Sequence, residues 1–160
     1  MDRDQARSLI VREVDEIASE LVVLSDKIWA NPETKHEEFK ACGWLTEFLE
    51  SHGLETKTKV GGLQTSFVGS RKNAVGKPKI GYLCEYDALP GIGHACGHNI
   101  IGVASAGAGI VLSSVLNKAG KDAAVTVFGC PGEEGGGGKV YLSRAGCFDG
   151  VDAAMDDFCR

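Results

Sequence analysis

The chain has 160 residues, and its net charge of −5 is spread without a block of like charges or a basic stripe, which argues against a nucleic-acid partner. At that length one domain buries about two-thirds of the surface its unfolded chain exposes, so size alone demands neither metal nor disulfide. No charged segment followed by a short apolar run opens the sequence, and no apolar run looks long enough to cross a bilayer, so a soluble cytoplasmic protein is expected.

In chain order, Ile10, Val14, Ile17, Leu21, Leu24 and Ile28 recur at steps of three and four and predict the apolar stripe of a long helix ending at Asn31-Pro32. A second helix is predicted with Phe39, Leu45, Phe48 and Leu49 as its buried side and Gly53 as its stop. Residues 55–60 and 65–68, separated by Gly61-Gly62, predict two strands joined by a tight turn. Residues 71–78 form a polar loop, and Ile80, Tyr82 and Leu83 then read as a buried strand. Residues 100–116, rich in Ala, Gly, Val and Ile, predict a helix that lies close on a sheet face. A buried strand over 123–129, a short helix over 139–145 and a last strand over 151–155 follow. The six cysteines, Cys42, Cys84, Cys96, Cys130, Cys147 and Cys159, show no CxxC spacing and are expected to be mostly buried thiols.

The strand near residue 80 turns polar at Glu85 and Asp87, then enters a Pro- and Gly-rich loop carrying His94, Cys96 and His98. Strand, helix, strand implies a right-handed crossover with parallel pairing, which puts both strand ends on one edge of the sheet. Cys96 and His98 should therefore lie near Glu133 and Glu134, which sit in GCPGEEGGGGK after the next strand. Thiolate and imidazole are usual zinc donors, and a carboxylate such as Glu134 fits the same ion. One of the adjacent glutamates is free to act as a general base while its neighbour binds metal. Asp87 is a candidate for orienting an imidazole, as metal-binding histidines require.

Other motifs fail on their spacing. Gly91, Gly93 and Gly97 miss the dinucleotide fingerprint because Cys96 holds the third glycine's place. The run before Lys139 has Glu133 where a phosphate loop needs Gly, and Val140 where it needs Ser or Thr. Ser105 misses the nucleophile elbow at its first glycine.

The blocks GEYDALPGIGHACGHN-like and GCPGEEGGGGK-like, in this order and separation, resemble the aminoacylase and dipeptidase family of metallopeptidases. Asn99 after Cys96-Gly97-His98 is most similar to the branch of Xaa-Arg dipeptidases and aminobenzoyl-glutamate hydrolases. Trp29-Ala-Asn-Pro32-Glu33, Gly53-Leu54 and Gly61-Gly62-Leu63 also look like that family's N-terminal region, so the likeness runs from about Glu16 to Met155. The resemblance implies a phosphorylase/hydrolase-like α/β catalytic domain, a three-layer architecture with a mostly parallel central sheet. It also implies one or two zinc or manganese ions and hydrolysis of an amide bond in a dipeptide or N-acyl amino acid. Carried over, Cys96, His98 and Glu134 become metal ligands, Glu133 the general base toward an attacking water, and Asp87 the aspartate that supports a ligand histidine.

Relatives continue after the equivalent of Asp152-Ala-Ala-Met155 to a metal-binding histidine, an inserted dimerising domain and the rest of the sheet. Here Asp156-Asp157-Phe158-Cys159-Arg160 follows, and no histidine comes after His98. The expectation is an N-terminal part of such an enzyme, or a changed reading frame near residue 156, with impaired hydrolysis and with homodimer formation expected only for a complete chain. A non-catalytic metal-binding or heteromer-forming remnant is the alternative. A cysteine hydrolase using Cys96 with His94 or His98 is a third and weaker reading, since no residue is evident to orient the base.

Overall fold

The computed structural model describes residues 1–72 and 75–156, so residues 73 and 74 of the polar loop, and Cys159, lie outside it. A five-stranded mixed sheet is built from β1 (Glu55–Thr58), β2 (Phe67–Ser70), β3 (Lys79–Cys84), β4 (Ala124–Gly129) and β5 (Ala153–Met155), in the order β1-β2-β4-β3-β5. β3 pairs parallel with both β4 and β5, and its pairing with β4 is the one the strand, helix, strand order requires. β1 and β2 join antiparallel, β2 running against β4. Parallel pairing therefore covers only the half of the sheet that carries the polar strand ends.

The helices α1 (Arg3–Trp29), α2 (Phe39–Ser51) and α3 (His98–Lys118) cover one face. After β4 comes a single irregular turn, α4 (Glu133–Gly136). On the other face α5 (Gly138–Arg144) packs Leu142 against Phe128 and Cys130, with Leu83, Phe148 and Val151 alongside. Asp2 opens α1 with a capping box: its side chain accepts from the Gln5 N–H at 2.9 Å and the Gln5 side chain accepts the Asp2 N–H at 3.0 Å. α3 is the crossover between β3 and β4, and its glycines set its distance from the sheet. A Cβ at Gly109 would strike Val127, and one at Gly102 the Glu85 carbonyl.

The structure departs from the sequence pattern at several points. Ile10 and Val14 are exposed, because the seam of α1 passes through Glu13, Ile17, Leu24 and Ile28 and Val14 lies about 100° round the helix from Glu13. Phe39 is exposed too; it is the first residue of α2, and the inward position at that end belongs to Glu38. β1 stops at Thr58, and the turn to β2 is a longer connection with a 3₁₀ segment at Val60–Gly62 in place of a tight turn. By length and composition α3 does reach membrane-spanning size, with a mean hydropathy of 1.8, but 67% of that window is buried inside the domain. Its apolarity is that of a core helix. Cys42, Cys84 and Cys130 are buried, Cys96 and Cys147 half-buried, and all five are free thiols.

Candidate metal centre

The centre forms where β3, β4 and the N-terminus of α3 meet. Beyond β3 the chain stays extended through Glu85-Tyr86-Asp87, and alternation sends successive side chains to opposite sides. Tyr86 turns into the core, stacked on Phe67 with its hydroxyl donating to the Thr65 carbonyl at 2.6 Å. Glu85 and Asp87 turn together toward His98, the first residue of α3, which Gly97 introduces at φ +85°. His98 Nδ1 stands 2.9 Å from the Asp87 carbonyl and 3.1 Å from its carboxylate. Its Nε2 faces Glu85 at 3.2 Å and Glu133 at 3.7 Å.

β4 delivers the two glutamates through Cys130-Pro131-Gly132. The Cys130 N–H extends the parallel ladder to the Cys84 carbonyl at 2.8 Å, and the chain then breaks direction at Gly132, φ +63°. The Glu133 and Glu134 N–H groups donate to the two oxygens of the Asp87 carboxylate, each at 3.0 Å. Asp87 thus joins His98 to the backbone of the glutamate loop. The next glycines are required by space: a Cβ at Gly136 would lie 2.6 Å from the His36 ring, and one at Gly138 would meet the Pro131 carbonyl.

One ligand atom each from Cys96, His98 and Glu134 lie within 4.8 Å of one another, and so do atoms of Glu85, His98 and Glu133. Glu133, Glu134, Asp87, Cys96 and His98 are therefore all brought to one place. Glu85, Lys139, Asp156 and Glu38 also belong to this neighbourhood, although the sequence assigns none of them a role. Lys139 pairs with Glu85 and with Asp156, the latter at 3.0 Å. Glu38 reaches Gly132 from the start of α2. The polar turn at Glu85 is a usable signal; nothing local to Glu38 or Lys139 marks them, because their partners are 94 and 54 residues away. His94 is buried, and burial and nearby His98 both hold its pKa down.

Charge here is lopsided. Burial disfavours the charged form of His98, yet hydrogen bonds to Asp87 and Glu85 and the neighbouring Cys96 outweigh it and push its pKa up to about 11. Burial likewise raises Asp87 and Glu85, but His98 and the Glu134 and Glu133 amides bring Asp87 below the usual carboxylate range, and His98 and Lys139 do so for Glu85. Glu133 goes the other way, raised by burial and by repulsion from Glu85. A half-buried thiol, an imidazole and carboxylates in excess over local cations form a donor set that fits a borderline-soft divalent ion.

No family model matches the chain. It is 40% identical over 149 residues to one of the subunits of p-aminobenzoyl-glutamate hydrolase from Escherichia coli, covering 82% of this chain and 31% of that protein. It is 40% identical over 152 residues to the Xaa-Arg dipeptidase of Mus musculus, covering 89% of this chain and 35% of the relative. Its fold matches the YxeP protein of Bacillus subtilis, a dinuclear metal binding peptidase from the M20 family, with a TM-score of 0.76 at 23% identity over 88% of this chain and 42% of the other. The chain spans about a third of the length of the relatives it matches in sequence. With the paired motifs converging as described, the chain belongs to the aminoacylase and dipeptidase family of metallopeptidases, with Xaa-Arg dipeptidases and p-aminobenzoyl-glutamate hydrolase among its relatives.

Proposed function

We propose that this chain carries the metal-binding and proton-transfer part of a metal-dependent amidohydrolase acting on dipeptides or N-acyl amino acids. The observation that carries the reading is the meeting of Cys96, His98 and Glu134 within 4.8 Å, with Glu133 on the adjoining residue. These three residues would hold about one equivalent of zinc, with manganese as a substitute. The description as dinuclear belongs to the Bacillus relative; in this chain the second group shares His98, and Lys139 already neutralises Glu85. The bound ion supplies a Lewis acid that polarises the scissile carbonyl and eases deprotonation of water.

Glu133 takes a proton from the attacking water, and its raised pKa suits it to hand that proton on to the departing amine. His98 is held protonated in the metal-free protein and would release its Nε2 proton to solvent on becoming a ligand; Asp87 then fixes its tautomer, since the Nδ1–H donating to Asp87 leaves the Nε2 lone pair directed away from it. Free thiols at five positions suit a reducing compartment, and we place the protein in the cytoplasm. The cysteine-hydrolase reading loses ground, because among the described residues neither ring nitrogen of His94 has a hydrogen-bond partner to orient it as a base, and in the metal-free protein the two ring nitrogens of His98 face Glu85 and Asp87.

The test grafts residues 1–156 in place of the matching third of the mouse Xaa-Arg dipeptidase and measures release of free amino acid from Xaa-Arg dipeptides and N-acyl amino acids with zinc or manganese. Metal-dependent turnover that falls by about three orders of magnitude in Glu133→Gln is expected. A second reading, a non-catalytic metal-binding remnant, is favoured by Lys139, whose ammonium already pairs with Glu85 of the second donor group. Zinc binding together with an inactive chimera would favour it.

A further inference from the structure

The loop that bears Glu133 and Glu134 is held by a second buried carboxylate besides Asp87. Glu38, at the N-terminus of α2, is fully buried. Its Oε1 accepts the His36 N–H and the Gly132 N–H, each at 2.8 Å, and its Oε2 accepts the Thr65 hydroxyl at 2.7 Å. Three successive amides of the loop, at 132, 133 and 134, therefore end on carboxylates supplied by distant parts of the chain: Glu38 takes the first and Asp87 the next two. His36, itself at φ +65°, completes the hold, with its ring against Gly132 and Gly136 and its Nε2 3.1 Å from the Gly136 carbonyl.

Asp87 grips the loop from the side of His98, and alone it would leave the loop free to pivot about two adjacent amides. Glu38 grips it one residue earlier, through a helix end and the Thr65 turn, so the pivot is closed. We propose that Glu38 is the positioning residue that fixes the glutamate loop where Glu134 can join Cys96 and His98. The inference rests on the metal-binding reading above but does not depend on it for its test.

Amide exchange in the metal-free protein is the first arm. Glu38→Ala should speed exchange at Gly132, Glu133 and Glu134 by about tenfold or more while β3 and β4 amides keep their relative protection. Zinc affinity by chelator competition is the second; Glu38→Ala should weaken it by about 10- to 100-fold. Glu38→Gln keeps an oxygen for both N–H groups, and the Thr65 hydroxyl can turn to accept, so it should restore both readouts to within about threefold. Leu45→Ala, a core change on the same helix, should lower the melting temperature without moving zinc affinity on the folded protein. If Glu38→Ala does not fold, Glu38→Asp carries the comparison, keeping the charge but withdrawing it by one methylene from Gly132.

Loop exchange and zinc affinity that shift no more in the Glu38 variants than in Leu45→Ala would overturn the proposal. Zinc binding that is the same in wild type and in a Cys96→Ala, His98→Ala double variant would instead sink the metal reading, and the exchange arm would still decide the role of Glu38.

Discussion

Helix α3 has buried carboxylates against both of its ends, Glu13 at one and Glu85 and Asp87 at the other, and the two ends are solved differently. At the C-terminal end Glu13 of α1 meets the Lys118 ammonium and the Ser114 hydroxyl, one acid balanced by one cation. At the N-terminal end Glu85, Asp87, Glu133 and Glu134 gather around His98, and among the described residues the further cations are Lys139, itself shared with Asp156, and Lys35, whose ammonium lies beside Gly135. The balanced end is a device that holds two helices together. The unbalanced end gains from an added positive charge, which is the physical signature expected of a site built for an ion.

The harshest way to break the comparison is to add a further acid with no partner at all. Ala106, midway along α3, is fully buried in the main core. Ala106→Glu should cost several kcal/mol, on the order of a whole domain's stability, and the variant should unfold or lose most of its thermal transition. A melting temperature within a few degrees of wild type would show that α3 does not sit in the core as described.

Adding zinc is the next largest effect. With free zinc at a hundredfold its dissociation constant, the wild type should gain about 2.7 kcal/mol, roughly 5 to 10 °C for a domain of this size. The Cys96→Ala, His98→Ala double variant should gain nothing, and Glu13→Gln should gain as much as wild type. Equal zinc shifts in all three would mean that the ion is not read by the N-terminal end.

Removing the cation from the balanced end should cost less. Lys118→Met leaves Glu13 buried with Ser114 as its remaining donor, but Lys118 is itself 47% exposed and solvent screens the pair. A loss of about 1 to 2 kcal/mol is expected by denaturant unfolding, and Glu13→Gln, Lys118→Met together should recover most of it. A double variant no more stable than Lys118→Met would show that the charge on Glu13 was never the issue.

How far the sequence exposes this contrast depends on how local each signal is. The strand, helix, strand unit is legible because apolar runs and their polar ends lie next to one another in the chain, and so is the approach of Cys96 and His98 to Glu133 and Glu134, which follows from parallel pairing alone. Glu13 is hidden inside what looks like an exposed polar position beside Val14, and only the packing of α1 on α3 turns it inward. Glu38 is likewise one of several acids in Glu33-Thr-Lys-His-Glu-Glu38, and its importance comes from Gly132, 94 residues later. Periodicity reports which face is apolar; it does not report which polar residue the tertiary fold will bury with partners.

The smallest effect separates the two ends by the sign of their acid dependence. Glu13 has its pKa lowered by hydrogen bonds from Lys118 and Ser114, which outweigh burial. Its unfolded value is about 4.3, so the folded state keeps Glu13 ionised at pH values where the unfolded chain takes up a proton. The stability it contributes is complete above that unfolded value and is lost as pH falls through the lower folded one. Glu133 has its pKa raised, chiefly by burial and then by Glu85, so its ionised form is a burden on the metal-free fold at neutral pH, and that burden lifts as pH falls through the raised value. Glu13→Gln should therefore be less stable than wild type near neutrality and converge on it in acid. Glu133→Gln should be slightly more stable than wild type near neutrality and lose that advantage in acid. Urea unfolding of the metal-free proteins between about pH 3 and 7 measures both differences. Two differences of the same sign across that range would mean that the two ends of α3 do not treat their carboxylates differently.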